Sequence, residues 1–340
     1  MLHPLPESVE RRPDGGFLLR WGAEARGLLV SVHAGPSPEA IDYGRALART
    51  RDREAATPAL DPGRRHYFGL LPEGGARPLV VAERRLPLEG ARNFRDLGGY
   101  ATRDARRVRW GRLYRSDHLG SLSETDRQLL AGLSLARICD FRTAAERESR
   151  PSLLGADCGA ATALLSIAPG SPQGFRDAVL GPGATAERVR ELMIEINREL
   201  ALRHTATFAR MFELLLTGPP RPVLLHCAGG KDRTGFAAAL VLLALGVPRE
   251  EVMADYLLTG RYLTWRGRSP LGRHQREELG LGAVDPELLR PLGEARPEYL
   301  AAALGAIEAQ HASLEEYLEV RLGLSPERRA ELRARLLEGD

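Results

Sequence analysis

Short apolar runs separated by turn residues dominate the first part of the chain. Each run spans five residues, and Gly, Pro and Asp lie between consecutive runs. Runs of this length bounded by turn residues are typical of β-strands. We therefore expect an all-β N-terminal domain over residues 1–88, folded as a small β-sandwich. A β-extension without a sandwich of its own is the alternative. The runs are 17–21, 28–32, 67–71 and 78–82.

From residue 90 onward the pattern changes to strands that alternate with helices. Two short apolar runs, 135–141 and 223–227, have the length of buried strands. Apolar positions recur with helical spacing at 123–133, 185–216, 236–245 and much of 285–338. This alternation predicts an α/β domain, a central sheet flanked by helices, over residues 89–340.

A stretch rich in Gly and Pro, 169–182, precedes the amphipathic run 186–202. Long connections of this kind often cover active sites. We predict a lid over residues 169–205, and an ordinary connection followed by a helix is the alternative.

Composition and charge exclude several classes of protein. With 43% hydrophobic and 27% charged residues, the chain has a globular composition. A net charge of +3 without a dense basic block indicates no nucleic-acid partner. We find neither a signal-peptide pattern nor an apolar run long enough for a transmembrane segment, and expect a cytoplasmic protein. Three cysteines without CxxC spacing indicate neither a disulfide framework nor a zinc site, so no metal is expected.

Residues 226–235 read His-Cys-Ala-Gly-Gly-Lys-Asp-Arg-Thr-Gly between an apolar strand and an apolar helix. A tight loop opening a helix aims backbone N–H groups and the positive end of the helix dipole at one spot. The phosphate-binding N–H groups are expected from Ala228, Gly229, Gly230, Lys231, Asp232 and Arg233. The same field stabilises a thiolate at Cys227, which makes that residue the candidate nucleophile.

The other side chains of this loop have distinct expected roles. The planar fork of Arg233 can hold two phosphoryl oxygens, more tightly as they gain charge in the transition state. Thr234 is expected to donate its hydroxyl to the sulfur, and His226 to order the loop by hydrogen bonding. Lys231 is the single Lys of the sequence, which supports a chemical role. A Walker A loop is excluded because Asp232, and not Ser or Thr, follows the Lys.

The motif HCAGGKDRTG resembles the HCxxGxxR(S/T)G signature of protein tyrosine phosphatases, and its GKDRTG ending is similar to a bacterial branch that includes phosphoinositide phosphatases. Residues 92–100, 111–116, 138–142 with Glu146, and 255–259 also resemble that branch. The resemblance covers about residues 89–340. It implies a cysteine-phosphatase fold and hydrolysis of phosphomonoesters through a phosphocysteine, without metal or cofactor. The strand ending at Trp21 and the region of Tyr67 resemble a fibronectin type III module.

The general acid that protonates the leaving group is not identified by the loop, because the family's usual WPD sequence is absent. Three candidates remain, in the order Asp140, Asp232 and Asp177. Asp140 ends a predicted strand, and its alternative role is a buried ion pair with Arg142 or Arg115. Asp232 lies inside the loop, and its alternative role is to fix the Arg or Lys side chain. Asp177 lies in the predicted lid.

The favoured function is a protein tyrosine phosphatase whose partner is a phosphorylated protein or peptide, with phosphoserine and phosphothreonine as further substrates. A phosphoinositide phosphatase is the alternative, because Lys231 adds a cation to the loop. A hypothesis from another class is a catalytically weak module that binds phospho-residues and recruits a partner through the β-domain. Cys139, just before Asp140, is a candidate for a disulfide with Cys227 under oxidation.

Overall fold

The computed structural model describes residues 2–23, 27–74, 77–263 and 281–339. Its N-terminal strands form two antiparallel sheets, one ordered β1-β2-β5 and the other β4-β3-β6-β7. The strands are β1 (Leu2–Arg11), β2 (Phe17–Ala23), β3 (Val30–Gly35), β4 (Ala48–Thr50), β5 (Glu54–Ala56), β6 (Tyr67–Pro72) and β7 (Leu79–Ala82).

The two sheets share one apolar core. Alternate side chains of β2, namely Phe17, Leu19 and Trp21, meet Val32 and Phe68 of the other sheet in a single cluster, as expected for strands with one buried face. The all-β N-terminal region is thereby confirmed. Its likeness to a fibronectin type III module and the division of the chain at residue 88 stay predictions.

Strand β1 did not appear in the hydrophobic pattern. Its pairing with β2 shifts register between Pro4 and Val9. A shift of this kind breaks the period-two alternation from which a strand is predicted. The three-residue strands β4 and β5 are too short to give such a pattern.

The central sheet has five strands in the order β12-β11-β13-β10-β8. Strands β10, β11, β12 and β13 run parallel to one another, and β8 is antiparallel to β10. The strands are β8 (Arg95–Asp96), β10 (Leu113–Ser116), β11 (Arg137–Asp140), β12 (Ala161–Leu164) and β13 (Val223–His226); a separate pair joins β9 (Arg107–Val108) to β14 (Leu337–Glu338). The middle strand β13 is buried along its length, as the apolar run 223–227 predicts.

Helices cover both faces of this sheet. They are α1 (Glu124–Gly132), α2 (Ala144–Ser149), α3 (Pro172–Val179), α4 (Ala186–Arg203), α5 (Thr205–Leu216), α6 (Asp232–Leu245), α7 (Arg249–Leu263), α8 (Pro286–Gly293), α9 (Pro297–Glu308), α10 (Leu314–Val320) and α11 (Pro326–Leu336). Leu225 of β13 joins the larger apolar cluster with α4, α5 and α6, whereas Leu224 joins a second cluster with α1 on the opposite face. This is the predicted α/β architecture.

Two helix boundaries differ from the sequence pattern. The run 185–216 forms two helices, α4 and α5, because the backbone leaves helical geometry at His204 (φ −110°, ψ 22°). Helix α6 begins at Asp232, four residues before the predicted apolar run, and is buried nearly all round. None of the helices in the described ranges is both long and apolar enough to cross a bilayer.

Candidate active site

The loop between β13 and α6 lies at the carboxyl end of the middle strand of the sheet. Cys227 follows directly after β13 and is 2% exposed. Gly230 has φ +63°, and a Cβ atom there would lie 2.5 Å from the carbonyl oxygen of Ser116. Only glycine fits this position, because a side chain would meet the backbone of the neighbouring strand.

Neighbouring groups bind the carbonyl oxygens of this loop from outside. Ala228 O accepts from His118 N at 3.0 Å, and Gly230 O accepts from Asn93 Nδ2 at 3.0 Å and from an Arg115 nitrogen at 2.8 Å. In a trans peptide the following N–H points away from the carbonyl. The N–H groups of residues 229 and 231 therefore point to the inner side of the loop, as a phosphate-binding nest requires.

Arg233 lies in the first turn of α6, and Glu146 of α2 fixes its guanidinium. The two terminal nitrogens of Arg233 each donate to one carboxylate oxygen of Glu146 at 2.7 Å, and one also donates to Ile167 O at 3.1 Å. Burial alone would lower the pKa of Arg233, but Cys227 and Glu146 raise it above its ordinary value. The guanidinium is thus charged, held in place and electrostatically coupled to Cys227.

The His226 and Thr234 side chains flank these residues, and His226 Nε2 lies 3.6 Å from an Asp140 carboxylate oxygen. Across the described part of the chain, neither the ring nitrogens of His226 nor the hydroxyl of Thr234 has a hydrogen-bond partner. Burial lowers the pKa of His226 to about 4, although Asp140 opposes the shift. The imidazole is therefore neutral at neutral pH. The Thr234 hydroxyl is free to bond a sulfur or a bound oxyanion.

A buried ionic network supports the loop from beneath. Arg115 donates to Asp255 at 2.7 Å, and Arg95 donates to the other oxygen of the same carboxylate at 3.0 Å. Arg95 also contacts the side-chain oxygen of Asn93. Burial would raise the pKa of Asp255, but the two arginines hold it below its ordinary value. This network joins β8, β10 and α7 to the carbonyl oxygen of Gly230.

A family model described as "Tyrosine phosphatase family" matches residues 86–338 of the chain. The chain belongs to the tyrosine phosphatase family. It is therefore a phosphatase, an enzyme that acts on phosphorylated substrates, and the resemblance inferred from the loop is confirmed.

Curated relatives of this phosphatase are similar over nearly their whole length. A protein of Cupriavidus necator, named provisionally as a tyrosine-protein phosphatase, is 33% identical over 79% of this chain and 94% of its own. A tyrosine-protein phosphatase of Nostoc commune is 25% identical over 92% of this chain and 96% of its own. The triple specificity protein phosphatase PtpB of Mycobacterium tuberculosis is 32% identical over 70% and 93%.

Asp140, the first candidate for the acid of this phosphatase, is held in a buried ion pair. Arg142 donates to its carboxylate through Nε at 3.0 Å, through a terminal nitrogen at 2.8 Å and through its backbone N–H at 2.9 Å. Burial would raise the pKa of Asp140, but Arg142 and His226 lower it. The geometry matches the alternative role stated for Asp140, since a carboxylate with these donors is a poor source of protons.

Asp232, the second candidate, opens α6 and is 17% exposed at its side chain. One carboxylate oxygen lies 3.0 Å from Lys231 Nζ, and the other accepts from Asn197 Nδ2 of α4 at 3.2 Å. The Lys231 ammonium also lies 5.0 Å from the ring centroid of Tyr299. Lys231 is thus engaged by its own neighbours. Asn197 carried no motif and was missed in the sequence.

Asp177, the third candidate, lies on an exposed face of α3 and accepts from Gln173 at 2.7 Å. The following helix α4 contributes Met193, Ile196 and Leu200 to the main apolar core. Its packing agrees with an ordinary connection and helix, and the gating role of residues 169–205 stays a prediction.

Asp117 is a buried carboxyl at the end of β10 that sequence reasoning also missed. It accepts from the backbone N–H of Asn93 at 3.1 Å, and its own backbone nitrogen lies beside Gly230. Burial raises its pKa to about 6. The sequence signal for Asp117 was the family-like segment 111–116, which ends one residue before Asp117.

The strand register separates Cys139 from Cys227. Cys139 pairs with Leu225, two residues before Cys227. Two residues of rise and one strand spacing put the two Cα atoms roughly 8 Å apart, beyond the reach of a disulfide. Burial also raises the pKa of the Cys139 thiol to about 12. The geometry therefore does not support the disulfide hypothesis, and all three cysteines are free.

Proposed function

We propose that this phosphatase hydrolyses phosphotyrosine in proteins or peptides through a phosphocysteine at Cys227. The observation that carries the proposal is the bidentate hold of Glu146 on Arg233, whose charge is coupled to Cys227. A fork fixed in advance costs no reorganisation when charge develops on the phosphoryl oxygens. Residues 228–233 bind the phosphoryl group through their backbone.

The reaction proceeds in two transfers. Sγ of the Cys227 thiolate attacks phosphorus, the bond from phosphorus to the tyrosyl oxygen breaks, and that oxygen takes a proton from a carboxylic acid. Water then attacks phosphorus, gives a proton to the same carboxylate, and the bond from phosphorus to sulfur breaks. The Thr234 hydroxyl, which has no hydrogen-bond partner among the described residues, stabilises the departing thiolate.

We assign the proton transfer to Asp232. Its side chain is partly exposed and lies in the first turn of α6, directly beside the loop. Asp232 is also ion-paired, to Lys231, but the buried Asp140 is held by three donors of Arg142. Asp177 pairs on an exposed helix with Gln173. Lys231 and Asn197 orient the Asp232 carboxylate.

We propose phosphoproteins and not phosphoinositides as the main substrates. A loop cation that recognised additional ring phosphates would have to be accessible, and Lys231 is 7% exposed at its side chain and paired with Asp232. The name of the mycobacterial relative describes a triple specificity enzyme. By analogy we propose activity on phosphoserine and phosphothreonine as well.

We propose a reducing compartment, the cytoplasm, for this enzyme because its nucleophile must stay a free thiol. The alternative is a phospho-residue binding module without turnover, in which the N-terminal sandwich recruits a partner. Such a module would bind a phosphorylated residue and release no phosphate.

The test compares phosphate release from an aryl phosphate and from phosphotyrosine, phosphoserine and inositol phosphate substrates. Cys227→Ser should abolish turnover on all of them, and Cys158→Ser is the matched control in which a buried thiol away from the loop is replaced. Equal turnover by wild type and Cys227→Ser would sink the nucleophile assignment. Preference for the inositol phosphate would favour the alternative substrate class.

Asp232→Asn should slow a substrate with a poor leaving group far more than one with a good leaving group, because only the former needs a proton. Asp177→Asn is the matched control. A variant of Asp232 that behaves like wild type on both substrates would move the assignment to Asp117 or Asp140.

A further inference from the structure

A residue of the N-terminal sandwich makes buried contacts with the central sheet. Arg65, just before β6, lies between the rings of Tyr67 and Tyr114, 4.7 and 5.2 Å from their centroids. Its guanidinium donates to Asp96 at 2.6 Å and to the Tyr114 hydroxyl at 2.7 Å. Because its side chain is 7% exposed, these contacts are shielded from solvent and are strong ones.

The residues that Arg65 contacts and the residues that support the loop lie on opposite faces of the same two strands, β8 and β10. Asp96 pairs with Tyr114 across β8 and β10, and the next pair along the strands is Arg95 with Arg115. Successive side chains of a strand point to opposite faces. Asp96 and Tyr114 face Arg65, whereas Arg95 and Arg115 face the network beneath the loop.

Hydrogen bonds hold the side chains on both faces of this strand pair. On one side the Asp96 carboxylate also accepts from the backbone N–H groups of Gly98 and Gly111, each at 2.7 Å. On the other side Arg115 donates to Gly230 O at 2.8 Å. A shift of β8 against β10 would therefore move the donor that holds the loop.

Arg65 supplies positive charge to this buried carboxylate. Burial lowers the pKa of Arg65, but Tyr114, Tyr67 and Asp96 more than offset it, so the guanidinium stays charged. Loss of one partner from a buried ion pair leaves an uncompensated charge, which is strongly unfavourable. The strand pair would then have to move to let water or another donor reach Asp96.

We propose that Arg65 is a positioning residue for the phosphate-binding loop, acting through Asp96 and Tyr114 on the strand pair that carries Arg95 and Arg115. The N-terminal sandwich is then a part of the catalytic unit and not only an attached module. The inference rests on the proposed role of the loop in binding the phosphoryl group.

The test uses two variants that change little volume. Arg65→Lys keeps the charge and loses the planar fork, and Tyr114→Phe removes only the hydroxyl that accepts from Arg65. Tungstate, a tetrahedral analogue of phosphate, is titrated calorimetrically into each protein well below its melting temperature, and kcat and KM are measured with an aryl phosphate. We expect about tenfold weaker tungstate binding and an equal or larger fall in kcat for Arg65→Lys, and about threefold effects for Tyr114→Phe.

The matched control is Val32→Ala, which removes buried volume from the sandwich core, a cluster that includes neither Tyr67 nor Tyr114. It should lower the melting temperature and leave tungstate affinity and kcat within about twofold of wild type. The proposal would be overturned if the Arg65→Lys protein had a lower melting temperature than wild type but bound tungstate as tightly as the Val32→Ala protein. If Arg65→Lys does not fold, Tyr114→Phe decides in the same way.

The calorimetric readout separates this proposal from the proposed function. If the Cys227→Ser protein turned over substrate as fast as wild type, the catalytic assignment would be refuted. Tungstate binding would still measure the geometry of the loop. Normal dependence on Cys227 with tungstate binding insensitive to Arg65 and Tyr114 would refute only the positioning role.

Discussion

Glu146→Gln tests whether the prearranged fork of Arg233 contributes to catalysis. Glu146 accepts one hydrogen bond of 2.7 Å on each carboxylate oxygen from Arg233. An amide in the same place keeps one acceptor, loses the charge and turns an NH₂ group toward the second guanidinium nitrogen. The substitution therefore removes one charged hydrogen bond and leaves the shape of the side chain.

The size of the effect follows from this geometry. A hydrogen bond to a charged group contributes about 1.5 to 3 kcal/mol. Because the Glu146 side chain is 30% exposed, water partly compensates and the lower end applies. Each 1.36 kcal/mol corresponds to a factor of about ten in rate. We expect kcat to fall roughly tenfold if the whole loss is expressed in the transition state.

The assay is steady-state hydrolysis of an aryl phosphate, with the melting temperature recorded for each variant. Glu148→Gln is the matched control, since it makes the same chemical change at an exposed position of the same helix. Its kcat should stay within about twofold of wild type. A Glu146→Gln enzyme as fast as Glu148→Gln would refute the reasoning, and a loss confined to KM would show that the fork acts on ground-state binding.

Three further predictions concern the loop and its surroundings. Gly230→Ala should lower kcat by about a hundredfold with an unchanged circular dichroism spectrum, because its Cβ would displace the loop from Ser116. Asn197→Leu removes a donor to Asp232, so hydrolysis of a poor leaving group should slow about tenfold and that of a good one much less. Between pH 7 and pH 4, urea unfolding should show that the free energy of unfolding falls by about 3 kcal/mol more for wild type than for His226→Gln. The pKa of His226 is about 4 in the folded protein and 6.5 in the unfolded chain, so the unfolded chain binds the proton first as the pH falls.

The sequence by itself determined the loop and the elements that carry it. The candidate nucleophile and phosphate-binding groups all lie within ten consecutive positions, 226–235, so the spacing of Cys227, Gly230 and Arg233 predicts the site without knowledge of distant contacts. Apolar runs and helical periodicity likewise predict the strand before the loop and the helix after it, because those patterns reflect burial of local segments. The two-part architecture followed from the change of pattern near residue 90.

Only the tertiary structure decided which groups support that loop. Glu146 lies 87 residues before Arg233, and Asp255 lies 140 residues after Arg115, distances over which no spacing rule applies. For Asp140 the sequence left open a pair with Arg142 or with Arg115, and only the structure shows that the partner is Arg142. Arg65 is linked to the loop only through strands β8 and β10, whose successive side chains point to opposite faces of the sheet. Partners across the fold are chosen by strand register and packing, which the linear order of residues does not express.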